Sequence, residues 1–157
     1  MRTRMFIVLG IVLGLPLLAG SRTYMVTAAN VRGEPTLEAN QTSGYYLWCD
    51  RQGLHLRWTT DGTPLLFTGR IDLDKPVREV KRVRQEAGGW ARSHGKRVVM
   101  FSATSRGDID GVDVVVPAAR RARIELQIDG KDASAEQIFL GARGLHPDGV
   151  PLKVALP

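Results

Sequence analysis

The tightest grouping of chemistry-bearing residues in this chain of 157 is Arg106-Gly107-Asp108-Ile109-Asp110-Gly111-Val112-Asp113. Oxygen donors at that density are what a calcium ion takes. The helix–loop–helix calcium pattern nevertheless fails, because Gly111 falls at its fourth position and no acidic residue stands at the twelfth. A strand through Val112 and Val114 also turns Asp113 to the opposite face. Turn chemistry accounts for Asp108 and Asp110 without a metal. Arg106-Gly107-Asp108 matches a tripeptide used by some adhesion ligands, with nothing around it to support that use.

The other candidates are more scattered. His55, His94 and His146 have no paired spacing, so a zinc site would need distant donors, with Cys49 as the one cysteine. Ser102, His94 and Asp108 can be drawn as a hydrolytic triad, but no Gly-x-Ser-x-Gly elbow marks a nucleophile. Asp72 and Asp74, two apart on a strand, read as a polar face rather than a glycosidase pair. Cys49 closes the apolar run Tyr45-Tyr46-Leu47-Trp48-Cys49 and reads as a small buried hydrophobe; alone, it excludes an intrachain disulfide. The expectation is a protein that is not an enzyme and holds neither cofactor nor metal.

Aromatic and arginine side chains offer a different chemistry. Tyr46 and Trp48 share one strand face, and Arg57, Arg70, Arg82 and Arg84 follow on neighbouring segments. Left open rather than packed, such residues form a contact surface that stacks a sugar or meets a protein. Trp58, in register with Leu54 and Leu56, is a further aromatic of this region. The competing expectation is that these rings are core. Net charge is +6, with a sequence pI near 10.0 and arginine as 17 of the 22 basic residues. That balance suits an anionic membrane, an acidic protein or a polyanionic glycan. Nucleic acid fits the charge but not an exported domain, and is not expected as a partner.

Export is read from residues 5–20, an uncharged run behind Arg2 and Arg4 whose apolar members are Met5, Phe6, Ile7, Val8, Leu9, Ile11, Val12, Leu13, Leu15, Leu17 and Leu18. As a helix it spans about 24 Å, short of the roughly 30 Å hydrocarbon core. That is the form of a secretory signal, but the cleavage site around Leu18-Ala19-Gly20-Ser21 is poor. Ser21 stands where a lipid-bearing cysteine would be. Residues 21–29 contain neither proline nor glycine, so the helix can continue, with Arg22 and Tyr24 at headgroup level. The reading is a retained signal-anchor over 1–29, a linker over 30–43 and a β-domain over 44–157. The charge bias puts the N-terminus in the cytoplasm and the domain in the periplasm or outside; if the segment is cleaved, the domain is secreted.

From Gly44 the apolar period becomes two. Tyr45, Leu47 and Cys49 alternate with Tyr46, Trp48 and Asp50, then Leu54, Leu56 and Trp58 with His55, Arg57 and Thr59. Asp61-Gly62 predicts a hairpin into a strand over 65–73, completing a three-stranded meander. Residues 74–89 read as strand rather than helix, 88–95 as a loop, and 97–104 as a central strand. Further strands are expected after Asp110-Gly111, over 123–129, over 136–141 and over 152–156. Eight or nine short strands joined by Asp-Gly turns predict an antiparallel β-sandwich, jelly-roll-like, behind one membrane helix. The function expected is an anchored accessory or scaffolding subunit among integral membrane proteins. The alternative is a secreted module binding a carbohydrate or acidic polymer.

Overall fold

The computed structural model describes residues 22–147 apart from 41 and 86. The anchor residues from Met5 to Leu18 and the strand expected over 152–156 lie outside the described residues. In chain order the strands are β1 (Tyr24–Thr27), β2 (Gly44–Cys49), β3 (Gly53–Thr59), β4 (Leu65–Leu73), β5 (Glu79–Arg82), β6 (Trp90–Ser93), β7 (Val98–Ser105), β8 (Asp110–Val115), β9 (Arg121–Ile128), β10 (Lys131–Asp132) and β11 (Ile138–Leu140). One 3₁₀ turn, Ala135–Gln137, precedes β11.

Two sheets form. Sheet I runs β1-β9-β4-β7-β6, with β10 also on β9; sheet II runs β11-β2-β3-β8-β5. All pairings are antiparallel except β11 beside β2, which is parallel. The alternation read in the sequence produces the core directly. Ala122, Ile124, Leu126 and Ile128 of β9 face inward, as do Phe67 and Ile71 of β4 and Leu56 and Trp58 of β3. Each such large side chain withdrawn from water contributes about 1.5–3 kcal/mol. At the centre the Trp58 and Phe101 rings stack at 4.9 Å, with Tyr45 edge-on to Phe67 at 5.2 Å, joining the two sheets.

Four expectations change. The meander is not formed: β2 and β3 pair, but β4 leaves for the other sheet, so Asp61-Gly62 sits in a crossing between sheets and not in a hairpin. The helix does not continue through Tyr24–Thr27, which is strand β1 against β9. With Tyr24 and Val26 facing the core, these residues gain more as an edge strand than as helix. The loop expected over 88–95 contains β6, an edge strand whose exposed side chains hide its period. The segment 30–43, expected as a linker, lies along the fold: Val31 is buried, Arg32 bridges Cys49, and the Asn40 amide donates to the Gly107 carbonyl at 3.0 Å. Residues 74–89 contribute the short strand β5, in line with the strand reading.

Strand directions sort the connections into two ends. Residues 60–64, the β5–β6 segment, the β7–β8 turn and the β9–β10 hairpin share one end. Residues 28–33, the β2–β3 turn and the β4–β5, β6–β7 and β8–β9 connections share the other.

Candidate functional site

On the outer face of sheet II, three adjacent strands place Trp48, His55 and Asp113 in one row, because Trp48 pairs with His55 and His55 with Asp113. The His55 ring lies between two carboxylates, with Nδ1 2.7 Å from Asp113 and Nε2 2.9 Å from Asp50. Arg57 donates to Asp113 at 2.8 Å, and its guanidinium lies 4.8 Å from the centre of the Trp48 ring. Trp48 stacks on His55 at 5.0 Å.

This arrangement sets the charges. Partial burial pulls the His55 pKa down, but the hydrogen bonds and charges of Asp113 and Asp50 outweigh it and leave it raised. Burial pushes the Asp113 carboxyl up, yet His55 and Arg57 together bring it to about 2. Asp50 is lowered as well, its burial outweighed by His55 and by the Gln52 and Gly53 amides. When protonated, the ring donates from both nitrogens and keeps no lone pair for a proton or a metal. The cluster ties three neighbouring strands together.

The residues read as a contact surface divide among three places. Tyr46, stacked on Phe139 at 4.8 Å, joins Trp48 and Arg57 on sheet II. Trp48 is only 5% exposed and Trp58 fully buried, so both rings serve packing. Arg70 stands on the outer face of sheet I, paired with Asp72 at 2.8 Å. Arg82 turns inward and is buried on Asp110, while Arg84 meets Asp108.

The three clustered carboxylates thus separate onto different cations: Asp108 on Arg84, Asp110 on Arg82, and Asp113 on His55 and Arg57. Among the described residues no three His, Cys, Asp or Glu side chains converge on one point. Ser102 lies within β7, His94 in the turn at one end of that strand and Asp108 in the turn at the other, so the drawn triad does not assemble. Asp74 accepts the Arg120 amide at 3.1 Å. Cys49 is half-buried, its Sγ 3.5 Å from the Ala28 carbonyl, and burial followed by the Asp50 charge pushes the thiol up, away from the reactive thiolate.

A feature that sequence reasoning missed lies at the end carrying the β2–β3 turn. Five separate connections deliver cations there: Arg32 after β1, Arg51 between β2 and β3, Lys75 and Arg78 between β4 and β5, Lys96 and Arg97 between β6 and β7, and Arg120 with Arg121 at the start of β9. All eight side chains are exposed. None forms an ion pair among the described residues. The carboxylates at this end are Glu34, Asp50, Asp72, Asp74 and Glu79, of which Asp50 is held by His55, Asp72 by Arg70 at 2.8 Å, and Glu79 lies 3.5 Å from Lys81. A groove of about 460 Å³ opens here, lined by Arg97, Arg121 and Arg123 with Asp72 and Asp74. At the opposite end Arg84, Arg106 and Lys131 are matched by Asp61, Asp108 and Asp129. The surplus positive charge of the described chain is thus concentrated at one pole.

Comparison with family models, curated proteins and solved structures finds no match. The case for function rests on the geometry just described.

Proposed function

We propose that this chain is a non-enzymatic, jelly-roll-like β-sandwich on the outer side of a membrane, held there by residues 5–20, and that it serves as an accessory or scaffolding subunit by docking an acidic face of an integral membrane partner on its cationic end. The observation that carries this reading is the gathering of eight exposed, unpaired cations from five connections at one pole. Charge of one sign on a rim steers and orients an oppositely charged partner. The His55 cluster supports a binding role rather than catalysis, because its acid, base and guanidinium groups are committed to one another.

The tether fits the same picture. β1 begins at Tyr24, four residues after Gly20, and the Arg22 amide is already fixed to Asp132 at 2.8 Å. No linker separates the apolar stretch from the fold, so the orientation of the domain on the bilayer is restricted.

Charge reversal tests this. In the triple variant Arg97→Glu, Arg120→Glu, Arg121→Glu, co-purification with integral membrane proteins in mild detergent is expected to fall at least tenfold, with the fold intact by circular dichroism. Unchanged co-purification would remove the cationic end from the proposal. A second reading draws on the groove that Arg97, Arg121 and Arg123 line: with the N-terminal segment cleaved, the same end takes an acidic polysaccharide. Intact mass separates the two, since the first requires Met1 to be retained and the second a released chain.

A further inference from the structure

We infer that the end opposite the cationic pole rests on the lipid surface through Leu66, Val83 and Trp90. This rests on the tethered reading above and adds which face meets the bilayer. Leu66, Val83 and Trp90 are the exposed large hydrophobics among the described residues, at 38%, 37% and 38%. They come from three different segments, yet all three stand near one end. Leu66 is the second residue of β4, opposite Thr104. Trp90 opens β6, opposite Ser102, on the same outer face. Val83 follows β5, its amide donating to the Gly111 carbonyl at the start of β8 at 2.9 Å. None is more than about three residues, roughly 10 Å, from that end.

The chain enters from the same direction. β1 runs from Tyr24 opposite Ile124 to Thr27 opposite Arg121, away from this end; traced backwards it leads toward it. Residues 21–23 are all that join the fold to the uncharged stretch 5–20, and at about 3.6 Å per residue they hold this end close to wherever that stretch is embedded. Lipid is therefore the occupant that the geometry supplies. Charge agrees: among the described residues Arg84, Arg106 and Lys131 at this end are matched by Asp61, Asp108 and Asp129, so the contact is apolar and independent of anionic lipid. Tryptophan is the side chain best suited to the headgroup boundary. The Arg92 guanidinium, 4.4 Å from the Trp90 ring centre, is placed to reach phosphate from there.

The full chain carries its own probe, because Trp48 and Trp58 are buried and Trp90 is not. Reconstituted into phosphatidylcholine vesicles whose acyl chains are brominated near the headgroup, the protein is expected to lose at least a quarter of its tryptophan fluorescence. Trp90→Phe should float with the vesicles equally well but lose most of that quenching, and Leu66→Ser with Val83→Ser should reduce it at least twofold. High salt should leave it unchanged. Flotation with no quenching, or with quenching that Trp90→Phe does not alter, overturns the inference and leaves the tether standing. Quenching that needs anionic lipid and disappears in high salt also overturns it, because the cationic end then faces the bilayer. Failure to float removes the tether itself, and the inference with it.

Discussion

The Tyr45 hydroxyl, carried by one sheet, donates to the Gln127 carbonyl of the other at 2.6 Å, with the Thr68 carbonyl at 3.1 Å. It is a polar contact across the core that joins the two sheets. Gly69, next to Thr68 on β4, leaves no room for a side chain, since a methyl there would lie 2.7 Å from Phe101 and 2.8 Å from the Glu125 carbonyl. Burial raises the phenol pKa well above its ordinary value, so it remains a donor at any working pH. Tyr45→Phe keeps the ring and loses the donor. Its expected cost is about 1–2 kcal/mol, read as a lower urea midpoint with an unchanged slope.

The His55 cluster predicts a pH window of stability. The raised His55 pKa contributes fully below about pH 6.5, the unfolded value, and is lost as pH rises through the folded value. The lowered Asp113 and Asp50 values contribute above about pH 4 and are lost as pH falls, for Asp113 through about 2. The stability difference between the wild type and His55→Gln is therefore expected to be largest between about pH 4 and 6.5. Because the carboxylates are partly open to solvent, its size is on the order of 1 kcal/mol. Urea titrations of both proteins from pH 3 to 9 check this; a difference that stays level from pH 5 to 9 refutes it.

Why that cluster escaped the sequence is a matter of range. The alternation in β3 put His55 on the outer face, and that in β8 turned Asp113 away from the valines; both readings hold. What the alternation cannot show is that β3 lies beside β8, a pairing between residues 58 apart. The cationic pole was illegible for the same reason, its members being spread over five connections that only the topology collects. Arg82 misled differently. Read as a member of an open contact surface, it pairs with Val112, which faces inward, and so does Arg82. Strands β3, β4 and β9 were legible because buried residues alternate along much of each with less buried ones.

Glycine at position 111 carries a further prediction. Asp110-Gly111 reads as a turn, but Gly111 lies in β8, pressed against β3. A methyl there would stand 2.0 Å from the Leu56 carbonyl oxygen, and backbone in a paired strand cannot retreat that far. Gly111→Ala is expected to cost about 2–3 kcal/mol through overpacking. Gly88→Ala, with no heavy atom within 4 Å of its methyl, should stay within about 0.5 kcal/mol of the wild type. Thermal unfolding of the pair makes the comparison.

The buried pair Arg82–Asp110 makes the most severe prediction. Their side chains are 9% and 3% exposed, and Asp110 also accepts the Arg84 amide at 3.1 Å and the Gly111 amide at 2.7 Å. The Arg82 guanidinium lies 6.0 Å from the Trp58 ring centre, and neither Arg82 Nε nor Trp58 Nε1 has a partner among the described residues. Removing the carboxylate alone therefore strands a cation in an environment with few acceptors. Asp110→Ala is expected to cost about 3–5 kcal/mol. Arg82→Met alone leaves a carboxylate still satisfied by two amides and should cost less. The double variant should cost well under the sum of the two, since the uncompensated charge is removed with its partner. A double-mutant cycle by urea denaturation measures the coupling. A value below about 0.5 kcal/mol would mean that water reaches the pair and that the end of the sandwich is open there.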